Sequence, residues 1–390
     1  MKRYLLSLLL VLTWTIELSL AQSQPTVNKK EVKVYSKILK EYRTVSIQFP
    51  DGYNKSKYYP VAYVFQEEFQ AARTAKVIAA LAAEFLVPEM IVVQMDQAGE
   101  GKGLSASFFP IDSSKEENNK EKIGTANKYL DFIGKELVKY VDSVYSTSPF
   151  RIAIGDSLEA MLLVHSLLKE KRIFNAYLCL QPSLYWGNFF ILEEAMKATF
   201  LKANKQVLYV GSCRDVQTES ADLKISSPDT LEKILKQKTI KGLESRFDDF
   251  EKEDVSASIS GIEKGMRYVF REFNFPEILT DTSDQIVSKI LQHYDFFSKE
   301  NGFIFLPPEG MINQVGHQLL ANYKYDKAIK LFKMNVINYP VSSLAFESLG
   351  EAYLAKGDTL SAIKNYQKAV KANPGNTKAI EVLKTIQVQK

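Results

Sequence analysis

The chain has 390 residues, 46% of them hydrophobic, with 50 basic and 46 acidic side chains, a formal net charge of +4, and only three histidines and two cysteines. Charges of both signs are interspersed, so no basic stripe marks a nucleic-acid surface. So few histidines and cysteines form no cluster with metal-ligand spacing, and no glycine-rich phosphate loop is present, so neither metal nor cofactor is implied.

At the N-terminus Lys2 and Arg3 precede an apolar run from Tyr4 to Trp14 and the small-x-small site Ser19-Leu20-Ala21. This is the layout of a secretory signal peptide over residues 1–21, with a mature protein from Gln22 in a periplasmic or extracellular space. The run is too short for a stable membrane span, and no other stretch approaches ~20 apolar residues. No cysteine sits near the cleavage point to carry a lipid anchor. Residues 22–390 exceed one ordinary domain, so two units are expected.

Val32 to Leu39 and Thr44 to Phe49 read as an opening hairpin. Tyr59 to Phe65, Met90 to Met95, Phe150 to Ile154, Ala176 to Leu180, Gln206 to Val210 and Arg246 to Phe250 are short apolar or β-rich runs. Helical patterns separate them, the strongest from Ala126 to Tyr145, with Tyr129, Phe132, Ile133, Leu137, Tyr140 and Val141 on one face. Alternating strands and helices predict an α/β fold whose mainly parallel sheet is covered on both faces, with its site at the carboxyl ends of the strands. Lys115 to Lys122 is a mixed-charge run suited to a solvated loop, and Cys179 and Cys213 read as two buried thiols rather than a disulfide.

The chemistry-bearing motif lies in the middle of the chain. Phe150 to Gly155 leads through Asp156-Ser157-Leu158-Glu159 into a helical stretch. Strand, sharp turn with a serine, and helix make a nucleophile elbow, whose pattern is G-x-S-x-G; here Glu159 replaces the second glycine and Asp156 precedes the serine. The shorter string Gly155-Asp156-Ser157-Leu158 also spells the GDSL esterase signature, but it sits mid-chain, and no Asp-x-x-His pair accompanies any of the three histidines. That match is read as chance.

Ile286, Ile290, Leu291, Tyr294 and Phe297 form an apolar stripe on a linking helix within residues 276–307. From 308 to 390, residues 34 apart match: Gly316 with Gly350, Ala328 with Ala362, Phe332 with Tyr366, Pro340 with Pro374. That period predicts two tetratricopeptide repeats, with Thr377 to Gln387 as a capping helix, docked on the preceding domain.

Residues of about 40 to 275 resemble the putative-esterase family of α/β-hydrolases, the group of enterochelin esterases, feruloyl esterases and esterase D. Tyr59 to Val64, Lys128 to Tyr145 followed by Phe150 to Ser157, Gln181-Pro182-Ser183-Leu184-Tyr185-Trp186, and Gly265 to Phe270 carry the likeness. It implies an α/β-hydrolase fold at residues 22–275 and Ser157 as nucleophile. Asp215 would be the acid, Gln66, Glu67 and Leu158 would surround the oxyanion, and Tyr185 and Trp186, with Phe189 and Phe190, would line a cleft or pack as a lid.

The departures matter as much. Asp254 stands where the family has its histidine, with Ser256 two residues on. An ordinary Asp is a poor general base because its pKa lies near ~4. His165, His293 and His317 are all away from that loop. Gln66-Glu67-Glu68 replaces the family's Asp-Gly, and Asp96 to Gly101 an Asn/Arg-rich segment. A carboxylate ~7 Å from an oxyanion opposes it by about 2 kcal/mol at an effective dielectric of ~20, and Asp156, Glu159, Glu67 and Glu68 are all candidates for that position. The reading is a secreted, esterase-like protein with a degenerate triad. It would bind a small ester, sugar or siderophore-like ligand, or a protein partner through the repeats. An active serine esterase, or an assembly module on a hydrolase scaffold, are the alternatives.

Overall fold

The computed structural model describes residues 28–95, 125–169, 173–198, 205–213, 228–238, 240, 242–250 and 257–388. The expected signal peptide, the run Lys115 to Lys122, the segment Asp96 to Gly101, Asp215, Asp254 and Ser256 lie outside them.

Eight strands form one sheet: β1 Lys29–Ser36, β2 Glu41–Gln48, β3 Tyr59–Phe65, β4 Ile91–Met95, β5 Thr147–Asp156, β6 Ala176–Leu180, β7 Gln206–Cys213 and β8 Leu243–Phe250. Their order is β1-β2-β4-β3-β5-β6-β7-β8, with β2 antiparallel to β1 and β4 and the remaining pairs parallel. Each strand overlaps the opening hairpin or one of the short apolar or β-rich runs of the sequence. The first ends at Ser36 rather than Leu39 because the chain turns, the Lys40 N–H donating to the Ser36 carbonyl at 2.8 Å with Lys40 at φ 59°. The last begins at Leu243, three residues before the expected Arg246.

Strands buried on both faces read as continuous apolar runs, and every residue of β3 and β6 is buried. Successive side chains then go to opposite sides: Val61, Tyr63 and Phe65 join one apolar cluster, Ala62 and Val64 the other. The first cluster is covered by α2 (125–144), α3 Ser157–Leu168, α4 Trp186–Lys197 and α5 Pro228–Lys238. In α2, Tyr129, Phe132, Ile133, Leu137 and Val141 are buried, the face the spacing predicts. The second cluster is covered by α1 Glu68–Ala83 and α6 Ala257–Val269.

The C-terminal helices are α7 Ile286–Asn301, α8 Glu309–Ala321, α9 Tyr325–Asn338, α10 Ser343–Ala355, α11 Thr359–Ala372 and α12 Thr377–Val388. The second cluster continues into them as far as α10, and a smaller cluster of Phe346, Ala362, Tyr366, Ala369 and Ala379 holds the last ones. Phe273 is the hinge of the contact, its ring packing edge-on against Phe270, Tyr294, Phe297 and Phe305. Ile286, Ile290, Tyr294 and Phe297 are buried as the stripe on α7 requires, but Leu291 is 48% exposed: one residue past Ile290 it is rotated about 100° off that face. Farther on, consecutive helices pack closely enough that a Cβ on Gly350 would lie 3.1 Å from the Tyr366 ring.

Candidate active site

At the carboxyl edge of the sheet β5 ends at Asp156 and α3 begins at Ser157, which takes φ 54°. A left-handed non-glycine residue costs of order 1–3 kcal/mol and persists only where its surroundings hold it. What holds it here is the close return of α3 onto β5. A Cβ on Gly155 would meet the Ala160 nitrogen and the Glu159 carbonyl carbon at 3.0 Å, so any larger residue would push α3 back from β5. The first glycine of the motif is thus required by packing, whereas the second position accommodates Glu159.

Ser157 is exposed, and its hydroxyl lies 2.9 Å from the Ser183 hydroxyl. The Ser183 N–H donates to the Ser157 carbonyl at 3.1 Å, fixing the loop after β6 over the elbow. Gln181, at φ 45°, starts that loop and donates its N–H to the Gly211 carbonyl at 2.7 Å. The sequence marks Gln181 to Trp186 only as a stretch that carries the family likeness, and nothing in it marks Ser183 as a site residue.

The first N–H groups of a helix have no partner within it, and the dipole there favours negative charge; Leu158 occupies that position in α3. Gln66 begins the loop after β3. Its buried side chain accepts a hydrogen bond from Thr74 Oγ1 at 2.6 Å while its Nε2 has no partner, so Gln66 ties the loop to α1. Glu67 is exposed at the start of α1. Glu68, by contrast, turns away to an ion pair with Lys29 at 2.8 Å and leaves the group of carboxylates around the elbow.

Glu159 is the perturbed group of the site. Burial pushes its carboxyl up to about 7, its own backbone N–H opposes that, and Asp156 and Glu67 push further in the same direction. Near neutral pH it therefore carries only part of a negative charge, which lessens the penalty it would place on an oxyanion.

All three histidines of the chain are among the described residues. His165 is fully buried on α3, its Nδ1 2.5 Å from Glu194 Oε2 and its Nε2 3.4 Å from Asn127 Oδ1. It stands about 12 Å along the helix axis from Ser157. Burial opposes ionisation of Glu194, but the contacts with His165 and Lys169 hold its carboxyl below the usual range. His293 stacks on Phe275 at 4.3 Å and meets the Phe273 carbonyl at 3.3 Å; His317 lies beside Ser348 and Glu351.

Of the aromatic quartet, Tyr185 is 57% exposed, while Trp186, Phe189 and Phe190 pack against the first-face core. The left-handed backbone of Gly187, Asn188 and Phe189 bends the start of α4 to allow this. Cys179 is a free, fully buried thiol whose pKa burial raises. Among the described residues no group of three or more His, Cys, Asp or Glu is arranged to hold a metal, and no helix is long and apolar enough to cross a membrane.

An eight-stranded mixed sheet of this order, with a serine on a left-handed strand-to-helix turn, defines an α/β-hydrolase-like fold. The family model described as "Putative esterase" matches residues 36–245, and the chain belongs to that family. No curated protein sequence matches it. An IroE-like serine hydrolase from Shewanella oneidensis is similar in structure, with TM-score 0.62, 21% identity, 79% of this chain and 99% of that one covered. An uncharacterised protein from Capnocytophaga ochracea gives TM-score 0.57 and 19% identity over 93% of this chain and 100% of its own, a span that takes in the C-terminal helices. The siderophore hydrolase EstA of Aspergillus nidulans covers 65% of this chain and 97% of its own, at TM-score 0.50 and 15% identity. These likenesses are likenesses of fold.

Proposed function

We propose that the protein is a secreted member of the esterase family that has kept the nucleophile elbow and lost the general base, and that it binds a ligand or partner through the cleft above Ser157 rather than hydrolysing it. One observation carries this reading: the only described partner of the Ser157 hydroxyl is another hydroxyl, Ser183, while the ring nitrogens of all three histidines contact groups elsewhere. Without a base the serine hydroxyl is a weak nucleophile, and a positioned base is worth roughly 10² to 10⁴ in rate. Asp254 at the family's histidine position and Asp215 as acid complete the degenerate triad. Leu158, Gln66 and Glu67 surround the former oxyanion position, and Tyr185 and Trp186 border the cleft. Ligands of the class handled by the fold's neighbours, a small ester or a siderophore-like molecule, are the first to test. The C-terminal helices, with their 34-residue offset and the Gly350–Tyr366 contact, are read as two tetratricopeptide repeats with α12 as cap. Treatment of the protein with a fluorophosphonate tests the reading: no adduct at Ser157 is expected by mass spectrometry, and stoichiometric labelling of Ser157 would overturn it.

A second reading has its own support. Glu159, whose carboxyl is pushed up to about 7, is two residues from Ser157 and has the proton affinity of a base working near neutrality. In that reading the protein is a serine ester hydrolase, and Glu159→Gln abolishes turnover of a p-nitrophenyl ester.

A further inference from the structure

At the opposite edge of the sheet, where β3 and β5 begin, a cavity of about 770 Å³ opens between the sheet domain and the C-terminal helices. That volume is in the range of small-molecule sites. Its walls are largely apolar, with Tyr58 and Phe85 on one side and Phe303 and Phe305 on the other. Phe85 is held at φ 60°, and its ring packs so closely on the α8 backbone that a Cβ on Gly310 would lie 2.8 Å from Phe85 Cε1. Left-handed aromatic residues are rare and strained, and this one fixes the seam from which the cavity opens.

Four charged side chains line the cavity, Asp51, Lys57, Glu89 and Glu309, and they are not balanced. Lys57 is satisfied: its ammonium is 2.5 Å from Glu89 Oε2 and lies over the rings of Tyr59 and Tyr339 at 5.0 and 5.3 Å. Glu309 has no ion pair among the described residues; its carboxylate accepts a hydrogen bond from the Ser342 hydroxyl. Burial raises its pKa, as does Glu89, against the opposing effects of Ser342 and Lys57. Asn338 also lines the cavity, but its Nδ2, which has no acceptor among the described residues, is buried away from the open space. Unpaired buried groups of this kind are costly and rare.

We infer that this junction cavity is a binding site for a small ammonium compound with an apolar or aromatic body. The ammonium would pair with Glu309 and the aromatic walls would take the body, an environment that favours a desolvated cation. The cavity is walled by both units, so occupancy would also strengthen their union. It is separate from the elbow and independent of whether Ser157 is active.

The test is calorimetric titration of the mature protein with L-phenylalaninamide, beside its uncharged relative N-acetyl-L-phenylalaninamide. Saturable binding of the amine is expected, with the neutral compound about tenfold weaker or worse, the loss of one charge-assisted hydrogen bond. Glu309→Gln should erase that preference. Ala83→Trp, which fills the cavity from an exposed position, should abolish binding even if Glu309→Gln fails to fold, and Ser157→Ala should leave it unchanged. No saturable binding of the amine, equal binding of the two compounds, or binding that survives Ala83→Trp would overturn the assignment.

Discussion

The two edges of the sheet carry opposite combinations of geometry and chemistry. At the carboxyl edge the strained turn, the glycine that permits it and the helix behind it are all kept, yet among the described residues the hydroxyl they present meets only another hydroxyl. The amino edge has no elbow, but it gathers a half-buried carboxyl with no ion pair among the described residues and aromatic walls around open space. The contrast teaches that an elbow persists for reasons of packing as well as of catalysis, since β5 and α3 cannot meet differently once Gly155 and Ala160 are in contact. An intact elbow at one edge is therefore weaker evidence of function than an unpaired carboxyl at the other.

The largest expected effect concerns the seam behind the amino edge. Phe273→Ala removes a ring buried among four others and should cost about 3–5 kcal/mol. The sheet and the helices should still unfold in one transition, because one apolar cluster serves both. A calorimetric trace that splits in two, or a fragment 308–390 that melts cooperatively where it does in the whole chain, would show two independent units and break the comparison.

Ser157→Gly sharpens the other side. If the left-handed turn is held for packing, glycine relieves its strain, and a gain of about 1 kcal/mol in chemical denaturation is expected after the entropic cost of glycine. A loss of stability would mean that the Ser157–Ser183 contact outweighs the strain.

Glu159→Gln should show its effect only above mildly acidic pH. The folded carboxyl is raised to about 7 while the unfolded one keeps an ordinary value near ~4.3. Between these values the folded state binds more protons, so Glu159 destabilises the fold progressively as pH rises through that window. The variant should be more stable than the wild type by about 1 kcal/mol at pH 8, after screening at this partly exposed site, and equal to it near pH 4. Urea melts at the two pH values check this, and an equal difference at both would contradict it.

Much of the fold was legible because its signals are local. The runs Tyr59 to Phe65 and Ala176 to Leu180 are apolar throughout, as strands buried on both faces must be, and the serine turn carries its own motif. What escaped depends on contacts distant in sequence. Ser183 reaches Ser157 only because the loop after β6 folds back over the elbow, and nothing in Gln181-Pro182-Ser183 announces it. The state of Glu159 follows from burial beside Asp156 and Glu67, which composition does not reveal. The cavity needs Phe85 and Glu309, far apart in the chain and joined only by packing. Leu291 lies one position beyond the stripe, where the buried and solvent faces of the helix adjoin.

The central claim is that the elbow stands without a base. Hydrolysis of p-nitrophenyl acetate and of a feruloyl ester by the mature protein, beside Ser157→Ala and Asp254→His, tests it most directly. The account predicts that wild type and Ser157→Ala are alike at background, and that Asp254→His alone stays far below ordinary esterase rates because catalytic groups act as a unit. Turnover by the wild type that disappears in Ser157→Ala would contradict it.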